Sequence, residues 1–292
     1  GQACPNGRSP RSLASPPALR AMLTNLWVPM VRKFVDSIDP QLLSQIEDVF
    51  SKIPSDVRVG PWAWMPTIML TALYHLVALT APYAMETYRP MSDIEVLRGI
   101  RWIGFALGVV GVGLVVRQYG AWVMSSWTMW GWTIATLRFL VGALGIVHLQ
   151  RVLTFPSLFA NFVTVSVWYV GLVPGLLVLA PKGDRWPFIR EWVLSPLLIL
   201  IHGVNLPFSF ADWYLQPVRL ELFDLWAGVV YSLIYLAFYL GFLDPAGVHF
   251  YFILTPRKWW ATAVYAVILA MAWGVWSKMN EWEAGLSSAT VV

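Results

Sequence analysis

Four polar residues punctuate the otherwise apolar stretch LLILIHGVNLPFSFADWY: His202, Asn205, Ser209 and Asp212. Their spacing of i, i+3, i+7 and i+10 returns each to nearly the same face of a helix, giving a polar stripe ~15 Å long. Pro207, at its centre, lacks an N–H and so frees a backbone carbonyl. Lipid does not tolerate such a face, so it must turn into a protein interior or a wet cavity. Two chemistries fit it. One is an interhelical hydrogen-bond network that fixes packing. The other is general-base catalysis by His202, because imidazole takes up and releases protons near neutral pH.

The upstream stretch SSWTMWGWTIATLRF carries two further candidates. Thr128 lies one helical turn after Ser125 and one before Trp132. A threonine hydroxyl becomes a nucleophile only when a base takes its proton; otherwise it bonds the backbone of its own helix. Arg138 falls about three turns deeper. An arginine near the middle of an apolar helix needs an acid or a carbonyl partner, or must snorkel to the interface. Asp212 and Asp224 are the acids nearest to a membrane segment.

These residues must be positioned by helices that cross a membrane. Seven apolar stretches follow one another, over 62–83, 102–116, 122–147, 157–179, 194–214, 222–243 and 259–277. A bilayer core is spanned by ~20 apolar residues in a helix. The runs are continuously apolar rather than alternating, which excludes a barrel and leaves an all-α, polytopic bundle. Hydrophobic residues make up 58% of the chain and charged ones 12%, about half the charged share of a soluble domain. Many of the eighteen tryptophans fall near the expected helix ends, as an interfacial belt. Gly104, Gly108 and Gly111 line one side of the second span, and Gly171 and Gly175 recur in the fourth. Such spacing lets helix backbones approach closely. The only ionisable group of the first span is His75, which suits a peripheral place for that helix.

Around the bundle, at 61–278, the sequence divides into a polar tail at 1–21, amphipathic helices within 22–60 and a C-terminal tail at 279–292. The first tail is rich in Pro, Ser and Arg and free of acids; it cannot bury enough apolar area to order itself and faintly resembles a targeting peptide. Apolar stripes over 22–35 and 39–53 are too short and too one-sided to span, so they lie at the interface or dock on neighbouring subunits. Short-loop Lys and Arg are evenly divided between the two sides until Lys52 and Arg58 are added, which tips the N-terminal side toward the cytosol or an organellar interior. The host membrane, organellar inner membrane or endoplasmic reticulum, is left open. One cysteine, Cys4, and four scattered histidines offer no metal site; no cofactor is expected, and a formal charge of +4 does not suit nucleic acid. The absence of an internal repeat argues against a carrier built from inverted halves.

The C-terminal half, HGVNLPFSFADWYLQPVRLELFDLWAGVVYSLIYLAFYL followed by LDPAGVHFYFIL, resembles the rolling-stone proteins and the related androgen-induced family of multi-pass membrane proteins. Shared features are a His-Gly in a span, a following acid, a Pro-x-Arg turn, a Tyr-rich span and a tyrosine-bearing loop before the last helix. The resemblance covers about residues 100–278, six spans, with Arg138 where the family has an aromatic residue. It implies hydrolysis of lipid esters, with Thr128 as nucleophile, His202 as base, and Asn205, Ser209 and Asp212 lining the site. Thr154 competes as a match for the threonine. Rolling-stone members are linked to cell fusion rather than clearly to catalysis, so a non-catalytic accessory subunit of a larger membrane complex remains the alternative, and enzyme status stays open. Membrane lipids are the expected partners on either reading.

Overall fold

A computed structural model describes residues 55–174, 186, 189, 194–245, 248 and 251–289. The tail, the amphipathic stripes over 22–53, His249 and Gly175 lie outside the described residues. Within them the chain is helical, and no strand occurs. In order come α1 (Ser55–Arg58), α2 (Trp64–Glu86), α3 (Glu95–Tyr119), a 3-10 turn (Ala121–Ser125), α4 (Trp127–Ala143) and α5 (Val147–Ser166). Then follow α6 (Pro196–Ile199), α7 (Asn205–Leu215), α8 (Leu222–Phe238) and α9 (Ala261–Ala289). Wider π turns continue α5 over Val167–Leu172, join α6 to α7 over Leu200–Val204, and continue α8 over Tyr239–Leu243.

Five of these are long and apolar enough to cross a membrane: α2, α3, α5 with its π turn, α8 with its π turn, and α9 to Gly285. The chain is therefore a multi-pass membrane protein. α4, at 17 residues, and the continuous run 196–215, interrupted by its π turn, are helical where spans were expected but shorter as regular helices.

Several boundaries differ from the hydropathy reading, each for a physical reason. α3 begins seven residues before the apolar window because Arg98 and Arg101 belong to its first turns. The expected third span ends early, at Ala143, where Gly145 adopts φ +72°, a conformation that L side chains rarely take. α5 then starts at Val147 rather than 157, and carries His148, Gln150 and Arg151 inside its first two turns. α9 runs on through Ala289 instead of ending near 277.

α5 is the centre of the bundle. It packs against α4, α7, α8 and α9, and its Phe155, Leu158, Phe159 and Ala160 are all but inaccessible. They meet Trp213, Tyr235 and Tyr239 in the main core. α3 lies flat on α4 along its glycine face: a β-carbon on Gly104 would fall on the Phe139 ring, on Gly108 against Thr136, and on Gly111 against Trp132. α2 sits at the edge, against α8 and α9, with most of its surface turned outward.

Candidate functional site

The polar stripe on α6–α7 is buried along its whole length, from His202 at 8% exposure through Asn205, Ser209 and Asp212 at 1% or less. Its two ends, however, serve different surroundings.

At the Asp212 end the bundle holds a charge cluster that explains Arg138. Arg101 Nε donates to Asp212 Oδ1 at 2.7 Å, and Arg138 Nη2 lies 3.0 Å from Oδ2 without alignment for a hydrogen bond. The aligned bonds of Arg138 run from Nη1 to the Ser209 carbonyl (3.1 Å) and to Ser157 Oγ (3.3 Å). Arg101 also donates to Gln216 Oε1 at 2.7 Å, and Gln150, with its amide oxygen turned toward Arg101, accepts from Nη2 at 2.8 Å. Two guanidiniums thus share one carboxylate, all at about 1% exposure. A second buried pair, Arg151 with Asp224, ties α5 to the start of α8, where Asp224 also accepts from the Glu221 N–H. Buried guanidiniums are tolerable here because each is met by a carboxylate or carbonyl.

At the His202 end lies a cavity of about 780 Å³, within the range typical of small-molecule sites. Its walls come from α2, α4, α5, the π turn before α7, α8, the 251–254 loop and α9. Thr128 and His202 both line it, together with Trp168, Tyr235 and Tyr251. None of the described residues that line it carries a charge. Asn205, Ser209 and Asp212 do not reach this cavity; they sit beyond it, toward the arginine cluster.

The histidine is held by two contacts. Its Nδ1 lies 3.2 Å from the Leu198 carbonyl, so in the neutral ring the proton sits on Nδ1 and the lone pair on Nε2. Trp168 stacks on the imidazole with centroids 3.9 Å apart and planes 8° from parallel. Both His202 and Trp168 belong to π turns, whose wider winding re-aims side chains relative to the flanking α-helix. Pro207, two residues into α7, lacks the N–H that would continue a regular ladder through Gly203.

Thr128 is the second residue of α4, just inside the Ser126 cap, whose Oγ accepts from the Met129 N–H at 3.3 Å. At that position there is no carbonyl of the same helix four residues back for its hydroxyl to bond. Other buried threonines differ. Thr136, Thr154 and Thr164 each donate to the carbonyl four residues earlier, at 2.8–3.0 Å. Thr154 is fully buried and outside the cavity.

Reasoning from sequence did not single out Tyr251 or Trp168. Tyr251 shares the cavity wall with Trp127 and Thr128, its hydroxyl in hydrogen-bonding range of the Thr128 hydroxyl and of the backbone there. Its only sequence signal is the tyrosine-bearing loop before the last helix. Arg101, Gln150 and Gln216 were equally unmarked. Among the described residues no cluster of His, Cys, Asp and Glu could hold a metal ion. No family model, curated protein or solved structure matches the chain.

Proposed function

We propose that this chain is an intramembrane hydrolase of lipid esters, with Thr128 as nucleophile and His202 as general base. One observation carries the reading: a hydroxyl not committed to its own helix and a histidine with its lone pair on Nε2 line the same apolar cavity. We read α4 and the 196–215 run as further crossings, which makes seven spans and puts the cavity within the bilayer.

In the reaction, His202 Nε2 takes the Thr128 proton as Thr128 Oγ adds to the ester carbonyl. Collapse of the tetrahedral intermediate expels the alcohol, which regains the proton from His202. Water then attacks the acyl-threonine by the same route and releases the fatty acid. Leu198 and Trp168 hold the imidazole in one tautomer and one plane, which serves proximity rather than bond making. The uncharged walls suit acyl chains; an ionised headgroup or carboxylate on the substrate stays at the membrane surface.

The test is labelling of the purified protein, in lipid nanodiscs, by a fluorophosphonate. Label on Thr128 that is lost in H202A supports the reading. T128A and H202A should each cut ester turnover by roughly 10⁴-fold or more, the double variant losing little beyond either, and T154A should be nearly silent. If the folded wild type takes no label and cleaves no ester, the enzyme is abandoned for the non-catalytic subunit.

A further inference from the structure

A threonine and a base do not complete an acyl-transfer site. When Thr128 Oγ adds to a carbonyl, the oxygen gains a negative charge in walls that hold no cationic side chain among the described residues. Preorganised hydrogen-bond donors next to the nucleophile are what lower that barrier. Among the described residues, Tyr251 stands on the cavity wall beside the nucleophile. We propose that Tyr251 is the oxyanion donor of this site, an inference that rests on the hydrolase reading above.

Three observations support it. First, Tyr251 lines the same cavity as Thr128, with its hydroxyl in hydrogen-bonding range of the Thr128 hydroxyl, so a carbonyl carbon bonded to Thr128 Oγ brings its oxygen near the phenol. Second, the same hydroxyl faces the backbone of Trp127 and Thr128, the first two residues of α4. The leading N–H groups of a helix have no acceptor within it; the Ser126 side chain takes that of Met129, and the backbone of Trp127 and Thr128 neighbours the phenol. A hydrogen bond accepted by the phenol oxygen polarises its O–H and strengthens it as a donor, and the positive end of the α4 dipole adds to the effect. Third, the ring is fixed. It packs against Tyr235 and Tyr239 with centroids 6.5 and 6.3 Å away, and the Tyr235 hydroxyl donates to the Ser125 carbonyl at 3.2 Å, bracing the turn that enters α4.

In the step itself the C–O bond to Thr128 forms, the carbonyl π pair moves to oxygen, and the Thr128 proton goes to His202. Tyr251 keeps its proton and donates a hydrogen bond to the new oxyanion. On collapse the pair returns to the carbonyl and the alkoxide leaves with the proton from His202.

Y251F retains the ring and its aromatic contacts while removing the donor. With a neutral long-chain ester in nanodiscs, kcat should fall roughly 10²-fold with little change in KM, the loss typical of one oxyanion donor. A purely structural tyrosine would not answer to phenol acidity, so the second measurement replaces Tyr251 with fluorinated tyrosines; kcat should rise as the phenol becomes a stronger donor, until it ionises. If wild type is active and depends on Thr128, yet Y251F keeps wild-type kcat or the fluorinated series is flat, the role of Tyr251 is overturned and the hydrolase stands. A wild type inert toward ester and label overturns both.

Discussion

Replacing Asp212 by Asn should be the most damaging isosteric change in the bundle. Asp212 is the shared counter-charge of Arg101 and Arg138, at 2.7 and 3.0 Å, and all three groups are about 1% exposed. At an effective dielectric of about 20, each contact is worth roughly 5–6 kcal/mol of gross attraction. Most of that is offset by the cost of desolvating the charges, and losing one partner of a buried pair costs about 3–5 kcal/mol net. Asp212→Asn leaves two buried cations facing a neutral amide, so the upper part of that range, about 5 kcal/mol, is expected. Arg138→Met should behave differently. It leaves Arg101 and Asp212 as a balanced pair, and its cost should stay near 1–3 kcal/mol from lost packing and from the unbonded Ser209 carbonyl. Added to Asp212→Asn it should partly rescue, because it removes one of the two stranded charges. Reversible unfolding in detergent micelles, run on the four proteins of the cycle, measures all three quantities. Equal losses for D212N and R138M, or additive losses in the double variant, would refute the shared-carboxylate account.

Other outcomes follow from the packing and the surface pairs. Gly108→Ala drives a β-carbon into the Thr136 hydroxyl and should cost about 1–3 kcal/mol, whereas Gly113→Ala, which meets open space, should be silent; similar melting of both would discard the glycine-face packing. Hydrogen bonding from Arg98 holds the exposed Asp93 carboxyl below the usual carboxylate range. Its contribution is therefore complete above that range and is lost only as pH falls through the lowered folded value. D93N should then shift stability by the same small amount at every pH between about 5 and 8, and a slope across that window would contradict the assignment.

What a sequence shows of such a molecule depends on how far apart the interacting residues lie along the chain. The helices were legible because each rests on local apolar composition, and the buried stripe was legible because one helix carries all four of its residues. That Arg138 required an acid also followed from solvation alone. Sequence named Asp212 and Asp224 as the nearest acids without choosing between them, and it started α5 ten residues late and ended the third span late. Both errors arose at one place: His148, Gln150 and Arg151 read as a polar loop when they are the first turns of a buried helix. Gly145 marked the true break. Arg101 was assigned to a loop for the same reason, since a hydropathy window ends at a charge whether or not a distant carboxylate neutralises it. The cavity was not legible at all, being assembled from six helical segments and a loop, and π turns that aim His202 and Trp168 leave no periodicity to detect.

The shared carboxylate also sets a schedule. Arg101 precedes Asp212 by 111 residues, and Arg138 precedes it by 212 − 138 = 74. At translation rates of 5–20 residues per second, the two arginines wait roughly 6–22 s and 4–15 s for the acid that neutralises them. Arg101, near the start of its helix, can reach toward the interface in the meantime. Arg138, near the middle of α4, cannot do so easily. If α4 crosses the bilayer, it is poorly suited to lipid on its own during that interval and needs shelter until α7 emerges. On the seven-span reading, membrane integration of this bundle would be ordered by charge, with the first helices held together until their acid arrives.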